Sequence, residues 1–296
     1  MDASYNKKVT REYKDSIFTK LFSDKQKALE LYNAVGTKKY DSNTEIEINT
    51  LDDVLYLDRI NDVSFILDGK LIVLVEHQSS INANMPMRFL IYISKLYENF
   101  IASNELNIYR EKLIKVPKPE FICLYNGTKD YPDGETLKLS DSFYDIEGVD
   151  TGLDLAVKVI NINKGRNETI VKQSKVLSDY IFFIDRVRNG ISSKIPLKDA
   201  IDSAVKYCIE NNILIDFLET YRAEVMGMLT TEFDMNKALE ARRLDGYEEG
   251  KLEGEIKGEI KGKLETAKVM LSKNTPLDFI IEVTNLSRGQ IESLVP

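Results

Sequence analysis

The polar residues most suggestive of chemistry in this chain follow directly on an apolar run, in the segment LIVLVEHQSS at 71–80. Leu71 to Val75 are five apolar residues in a row, a pattern that predicts a buried β-strand. Glu76, His77 (the only histidine) and Gln78 come next. Because side chains alternate along a strand, Glu76 and Gln78 should share one face and His77 should point to the other.

A second acid, Asp62, is expected close to Glu76 because the segments 60–67 and 71–78 read as the two arms of a β-hairpin. Asp68-Gly69 between them is typical of a two-residue type I′ turn. Strict pairing around that turn places Asp62 opposite Val75, which leaves open whether the two carboxylates share a face. If they converge, they form a hard oxygen site suited to Mg²⁺ or Mn²⁺. Spacing alone favours the other interpretation, in which both acids simply mark where strands emerge into water.

The elements around this hairpin predict a mixed α/β core. Helical spacing is present at 11–35, where Ser23-Asp24 could cap a second helix, and at 85–101. Strands are predicted at 119–127 and 153–162, and helices from about 167 to 243, the first of them capped by Asn167 and the last running from 213 to 229. The order of elements therefore predicts a mixed α/β core followed by an α-helical part.

The sequence changes character after residue 243, where glycine recurs every four residues from Gly246 to Gly262 among Glu and Lys. Each exposed helical Gly costs about 0.5–1 kcal/mol relative to Ala, so a marginal helical linker is predicted. In the tail, Thr275-Pro276 and Ser287 predict the starts of two short helices. The predicted organisation is a core domain at 1–240, a linker at 241–265 and a small helical tail at 266–296.

Composition places the chain among soluble proteins: 43% of its 296 residues are hydrophobic, 30% are charged, and no run is long enough to span a membrane. The two cysteines, Cys123 and Cys208, lie in apolar surroundings, which favours buried thiols and a cytoplasmic location. A net charge of −8 argues against general nucleic-acid binding. The basic segment 158–190 could still form a local basic face, or a solvated helix face of the usual kind.

The block VEHQSSINANMPMRFLIYISKLY at 75–97, with Asn61-Asp62-Val63-Ser64-Phe65 before it, resembles the PD-(D/E)XK nuclease superfamily. More narrowly, it is similar to the bacterial recombination-promoting nuclease/transposase family, which carries an Asp on the first core strand and an EHQS/T element on the next. The similarity extends over about residues 10–240 and is specific in the EHQSSINANMPMR block. It implies a restriction-endonuclease-like mixed sheet flanked by helices, with a helical C-terminal extension.

Carried over by residue, the resemblance implies Asp62 and Glu76 as ligands of Mg²⁺ or Mn²⁺, and Gln78 where the superfamily usually has lysine. A neutral amide removes a cation that would stabilise the transition state, although it can still orient water. Arg88 is the candidate for a phosphate contact. An acid on the first helix often completes such sites, and Glu30 is a better candidate than Asp15.

These residues lead to an expected function: a Mg²⁺-dependent DNA endonuclease that hydrolyses phosphodiester bonds by direct attack of water. The alternative is a catalytically weak or inactive DNA-binding or assembly protein derived from a mobile element. The expected partners are DNA and a second copy of the chain bound through the C-terminal helices, with no membrane. His77 is expected to pack against the helix behind the sheet.

Overall fold

The computed structural model describes residues 17–49 and 62–294, and its strands in those ranges form one mixed six-stranded sheet. The strand order is β1-β2-β3-β4-β6-β5. β1 to β3 pair antiparallel, β3, β4 and β6 are parallel, and β5 is antiparallel to β6. The strands are β1 (Ile46–Ile48), β2 (Val63–Leu67), β3 (Leu71–Gln78), β4 (Lys118–Tyr125), β5 (Gly134–Lys138) and β6 (Ala156–Asn161).

Helices before, between and after the strands complete the described fold. A 3₁₀ turn at Leu139–Ser142 follows β5. The helices are α1 (Ile17–Phe22), α2 (Lys25–Val35), α3 (Met85–Ser103), α4 (Glu168–Val171), α5 (Lys175–Ser192), α6 (Leu197–Glu210), α7 (Ile215–Thr220), α8 (Arg222–Ser272), α9 (Leu277–Thr284) and α10 (Arg288–Glu292).

The predicted mixed α/β core with a helical C-terminal region is confirmed, including several of its boundaries. Asp24 caps α2 by accepting hydrogen bonds from the amides of Gln26 and Lys27, and Pro86 lies in the first turn of α3. Asn167 differs from the prediction: its side chain caps no helix and bonds the carbonyls of Asp133 and Asn161, while Ser174 caps α5.

The sheet has two differently covered faces, and they separate the neighbouring residues Glu76 and His77. On one face α3 packs over even-numbered residues of β3, so that Phe89 and Tyr92 join Leu74 and Cys123 in a core cluster. On the other face α1 and α2 supply Phe18 and Tyr32, whose rings lie against His77 and Phe65. The predicted alternation therefore holds at the site.

The hairpin register differs from the two-residue prediction by one residue. Asp68 and Gly69 both have positive φ, as a type I′ turn requires, and the Lys70 amide bonds the Leu67 carbonyl. Leu67 nevertheless pairs with Leu71, so the connection contains Lys70 as a third residue. Val63 consequently pairs with Val75, and continuing that register places Asp62 opposite Glu76 on the same face.

The C-terminal part forms a compact unit of its own, divided from the first between Glu232 and Phe233. The helix predicted over 213–229 is instead split at Tyr221, and α8 then runs unbroken through the glycine-rich segment to Ser272. Ion pairs one helical turn apart, Glu253–Lys257 and Glu259–Lys263, offset part of the cost of the glycines.

The tail has a small core made by Ala267, Ile280, Leu286 and Ile291. Pro276 precedes α9, and Ser287 caps α10 in a capping box with Gln290, so both predicted helix starts are confirmed. Across the described ranges, none of the helices is long and apolar enough to cross a membrane.

Candidate active site

Glu76 lies on β3, on the face that α3 covers, and the register of the hairpin places Asp62 opposite it. Glu76 is 1% exposed and Asp62 is half-buried, immediately before β2. One oxygen of Asp62, Oδ2, accepts a hydrogen bond of 2.6 Å from the His77 amide. That bond crosses from one strand to the other and holds the Asp62 carboxylate beside the end of β3.

Two donors converge on one oxygen of Glu76 and leave its other oxygen without a partner. Arg88 Nη2 donates to Glu76 Oε2 at 2.9 Å, and Gln78 Nε2 donates to the same oxygen at 3.0 Å. Glu76 Oε1 is buried and has no hydrogen-bond partner among the residues described. A buried carboxylate oxygen without a donor is costly, and it is available to a ligand.

Arg88 is held in place by Tyr92, one turn further along α3. Arg88 Nε and Nη2 lie 3.3 and 3.1 Å from the Tyr92 hydroxyl oxygen, to which they donate. The Arg88–Glu76 ion pair is mostly shielded from solvent, with 18% of the Arg88 side chain exposed. Residues four apart on a helix are neighbours, so the spacing of Arg88 and Tyr92 indicates this contact once α3 is recognised.

Burial opposes the ionisation of both carboxyl groups, and the charge of Asp62 adds to this effect at Glu76. Burial raises the pKa of Asp62 to about 6, against the opposing effects of the His77 amide and Arg88. Burial and the nearby Asp62 charge raise the pKa of Glu76, while Arg88 and Gln78 lower it. One guanidinium therefore compensates for two closely spaced acids only in part, and an added cation would favour the ionised form of both.

The donor set fits a hard divalent cation. Mg²⁺ is commonly bound through one or two carboxylates with water and substrate phosphate completing its shell. Asp62 and Glu76 supply two carboxylates on one face, and Glu76 Oε1 is the unpartnered atom that such an ion would engage. In the described ranges no group of three or more Asp, Glu, His or Cys side chains could hold a metal, so any ion here depends on these two acids.

His77 lies on the opposite face, as predicted, and is enclosed by aromatic rings. The Phe18 ring stacks on it at a centroid distance of 4.8 Å, and Tyr180 Oη lies 3.3 Å from His77 Nε2. Burial, together with the charge of Arg188, lowers the pKa of His77 to about 3. A neutral ring turned away from the carboxylates packs the core and takes no part in their chemistry.

The structure does not bring Glu30 to the carboxylates. Glu30 Oε1 accepts hydrogen bonds from Ser174 Oγ at 2.8 Å and from the Val176 amide at 2.9 Å. It thus anchors α2 to the start of α5, on the face of the sheet that carries His77. Asp15, the second candidate for this role, lies outside the described residues.

All the cations of the basic segment 158–190 have partners within the fold. Each of its seven cations already has a partner: four form ion pairs, two bond backbone or amide oxygens, and one covers an aromatic ring. The contacts are Lys164–Asp185, Arg166–Asp130 and Asp133, Lys172–Glu168, Lys175–Asp179, Lys158–Val35, Arg188–Asn126 and Arg186–Tyr207.

Asp62, Glu76, Gln78 and Arg88, the four predicted residues that the fold brings together, thus form one cluster at the ends of β2 and β3. Comparison with protein-family models, with curated proteins and with solved structures found no match to this chain.

Proposed function

We propose that this chain is a Mg²⁺-dependent endodeoxyribonuclease with a restriction-endonuclease-like core. The observation that carries the proposal is the pair of carboxylates, Asp62 and Glu76, on one sheet face with Glu76 Oε1 buried and unpartnered. The resemblance of the 61–97 segment to the recombination-promoting nuclease/transposase family supports it, because that family places an acid at each of these positions.

In this proposal each residue has a separate task. Asp62 and Glu76 would hold the ion, which when bound supplies positive charge that favours deprotonation of the attacking water and neutralises the phosphodiester. The Gln78 nitrogen donates to Glu76, and its amide oxygen, which accepts no hydrogen bond from the described residues, could orient that water. Arg88 fixes the Glu76 carboxylate and lies beside Gln78, because both donate to the same oxygen.

The same contacts also support the alternative function, a weak or inactive DNA-binding or assembly protein. A guanidinium already neutralises Glu76, and an amide stands where a lysine is expected. An arrangement of this kind could preserve the fold of an ancestral nuclease without its chemistry. The two proposals differ in a measurable quantity, the rate of phosphodiester cleavage.

Plasmid cleavage in Mg²⁺ or Mn²⁺ tests the proposal, with Asp62→Asn and Glu76→Gln as the variants. We expect each variant to cut at least about 100-fold more slowly, equivalent to about 2.7 kcal/mol of transition-state stabilisation. Glu98→Gln is the matched control, since Glu98 is an exposed acid on α3 that pairs with Lys95, and it should cut at the wild-type rate.

Cleavage that survives both substitutions would contradict the site. Absence of cleavage by the wild-type protein, with binding of a labelled duplex retained, would favour the alternative function.

A further inference from the structure

The N-terminal ends of the parallel strands, which form the edge of the sheet opposite the carboxylates, carry two exposed loops of opposite charge. β4 and β6 are parallel neighbours that begin at Lys118 and Ala156, so the loops that enter them end at the same edge. Glu76 and Gln78 pair with the far end of β4, about 20 Å away along the strand. We define the basic loop as residues 107–118 and the acidic loop as residues 139–155.

The basic loop combines unpaired cations with exposed apolar side chains. It contains four cations against a single acid, Glu111, and these cations take part in no ion pair among the described residues. Tyr109 is 92% exposed and Leu113 is 74% exposed. The cations are Arg110, Lys112, Lys115 and Lys118.

The acidic loop is its counterpart. It contains five acids and no Lys or Arg, and in the described ranges none of these acids forms an ion pair. Tyr144 is 95% exposed and Val149 is 66% exposed. The acids are Asp141, Asp145, Glu147, Asp150 and Asp154.

Exposed apolar groups clustered at one edge of a soluble unit mark an interaction surface. A nucleic acid fits this edge poorly, because the acidic loop would repel phosphates beside the very cations that attract them. A second copy of the chain fits it well. In a two-fold dimer, residue i of one copy contacts residue j of the other and the reverse, so each basic loop would meet an acidic loop.

We propose that this edge is a two-fold self-association surface, in which the basic loop of each copy packs on the acidic loop of the other. The exposed stretches 107–116 and 141–154 together contain 24 residues, within the 20–30 residues per side of a stable interface. This surface includes no residue of the C-terminal helices, and the proposal does not depend on nuclease activity. It leaves the Asp62–Glu76 edge of each copy open.

Charge reversal in the full-length protein tests this pairing. Lys112→Glu with Lys115→Glu makes both loops acidic, and Asp145→Lys, Glu147→Lys and Asp150→Lys together make both loops basic. Sedimentation equilibrium at tens of micromolar should show that each variant has half the wild-type mass, because its loops now repel. An equimolar mixture should recover the wild-type mass, since every loop again meets its opposite.

Lys194→Glu with Lys198→Glu is the matched control, because both lysines are exposed and outside the two loops, and it should keep the wild-type mass. Far-UV circular dichroism verifies that each variant is folded. A wild-type mass of one 33.8 kDa chain would overturn the proposal. So would reversals that leave the mass unchanged, or a mixture that does not recover.

Binding of a fluorescein-labelled oligonucleotide tests the competing possibility of a nucleic-acid surface. A monomeric wild type that binds it, with binding lost in the Lys112→Glu, Lys115→Glu variant alone, would overturn the proposal in favour of a nucleic-acid surface.

Discussion

Glu76 and His77 are neighbours in one strand and are both largely removed from water, yet their surroundings are opposite in kind. His77 is surrounded by aromatic groups, with Phe18 stacked on its ring and Tyr180 at its nitrogen. Glu76 is surrounded by charges and amides, and one of its oxygens has no partner. Burial alone therefore does not identify a functional residue; the unmet bonding capacity of the buried group does.

The largest effect should come from removing the charge that balances Glu76. Arg88→Met leaves a buried carboxylate without a cation, and breaking a buried ion pair in this way typically costs about 3–5 kcal/mol. Urea unfolding at pH 7.5 without divalent ions measures that loss. Lys95→Met on the same helix is the control and should cost less than about 1 kcal/mol, because its pair with Glu98 is exposed.

Adding Glu76→Gln to Arg88→Met should recover part of the lost stability, since the remaining side chain is neutral. An Arg88→Met protein as stable as wild type would mean that Glu76 does not depend on Arg88.

His77 should produce a smaller effect that depends on pH. The unfolded chain binds a proton at this histidine below about pH 6.5, whereas the folded chain does so only near pH 3. The stabilising contribution of the neutral His77 ring is therefore fully present above about pH 6.5. It is lost as the pH falls, by up to about 1.4 kcal/mol per pH unit. His77→Phe should abolish this loss.

The effect of Asp62 on stability has the opposite pH dependence, so Asp62 is replaced by Asn in both proteins that are compared. Its raised pKa of about 6 means that it contributes stability below about pH 4, which is lost as the pH rises through 6. Unfolding free energies of Asp62→Asn and of Asp62→Asn with His77→Phe, measured at pH 7, 6 and 5, isolate the histidine. Parallel pH profiles for the two proteins would show that His77 is accessible to protons in the fold.

The smallest effect should be stabilisation by Mg²⁺ itself. An ion that binds only the folded chain adds about 1.4 kcal/mol at ten times its dissociation constant. We expect this increment in wild type and in His77→Phe, and its loss in Glu76→Gln, by urea unfolding with and without MgCl₂. An increment that persists in Glu76→Gln would place the ion elsewhere.

Local patterns in the sequence were sufficient for the faces of the hairpin and for the helix caps, because alternation and capping involve only neighbouring residues. The alternation placed Glu76 with Gln78 and His77 opposite them, and Asp24 and Ser287 cap helices as predicted. The strands missing from the prediction, β1 and β5, are the two outermost strands of the sheet. β1 has only three residues and β5 is mostly exposed, so neither carries an apolar run to indicate a strand.

The contacts of Arg88 with Glu76 and of Glu30 with the start of α5 depended on tertiary structure and could not be predicted. Arg88 and Glu76 are twelve residues apart and meet only because α3 folds back over the sheet. Glu30 bonds residues 144 and 146 positions away. The position of α5, and not any property of the helix that carries Glu30, determines that this acid anchors helices.

Lys70, the third residue of the hairpin connection, gives the turn an influence far beyond its own surroundings. Its side chain is solvent-exposed, and substituting it should change little. Its presence sets which pairs of residues meet along both strands, as far as Asp62 and Glu76 about 20 Å away. The chemistry at the end of this hairpin thus depends partly on the length of a surface turn. Insertions or deletions there would change which residues meet at the site without altering any residue in it.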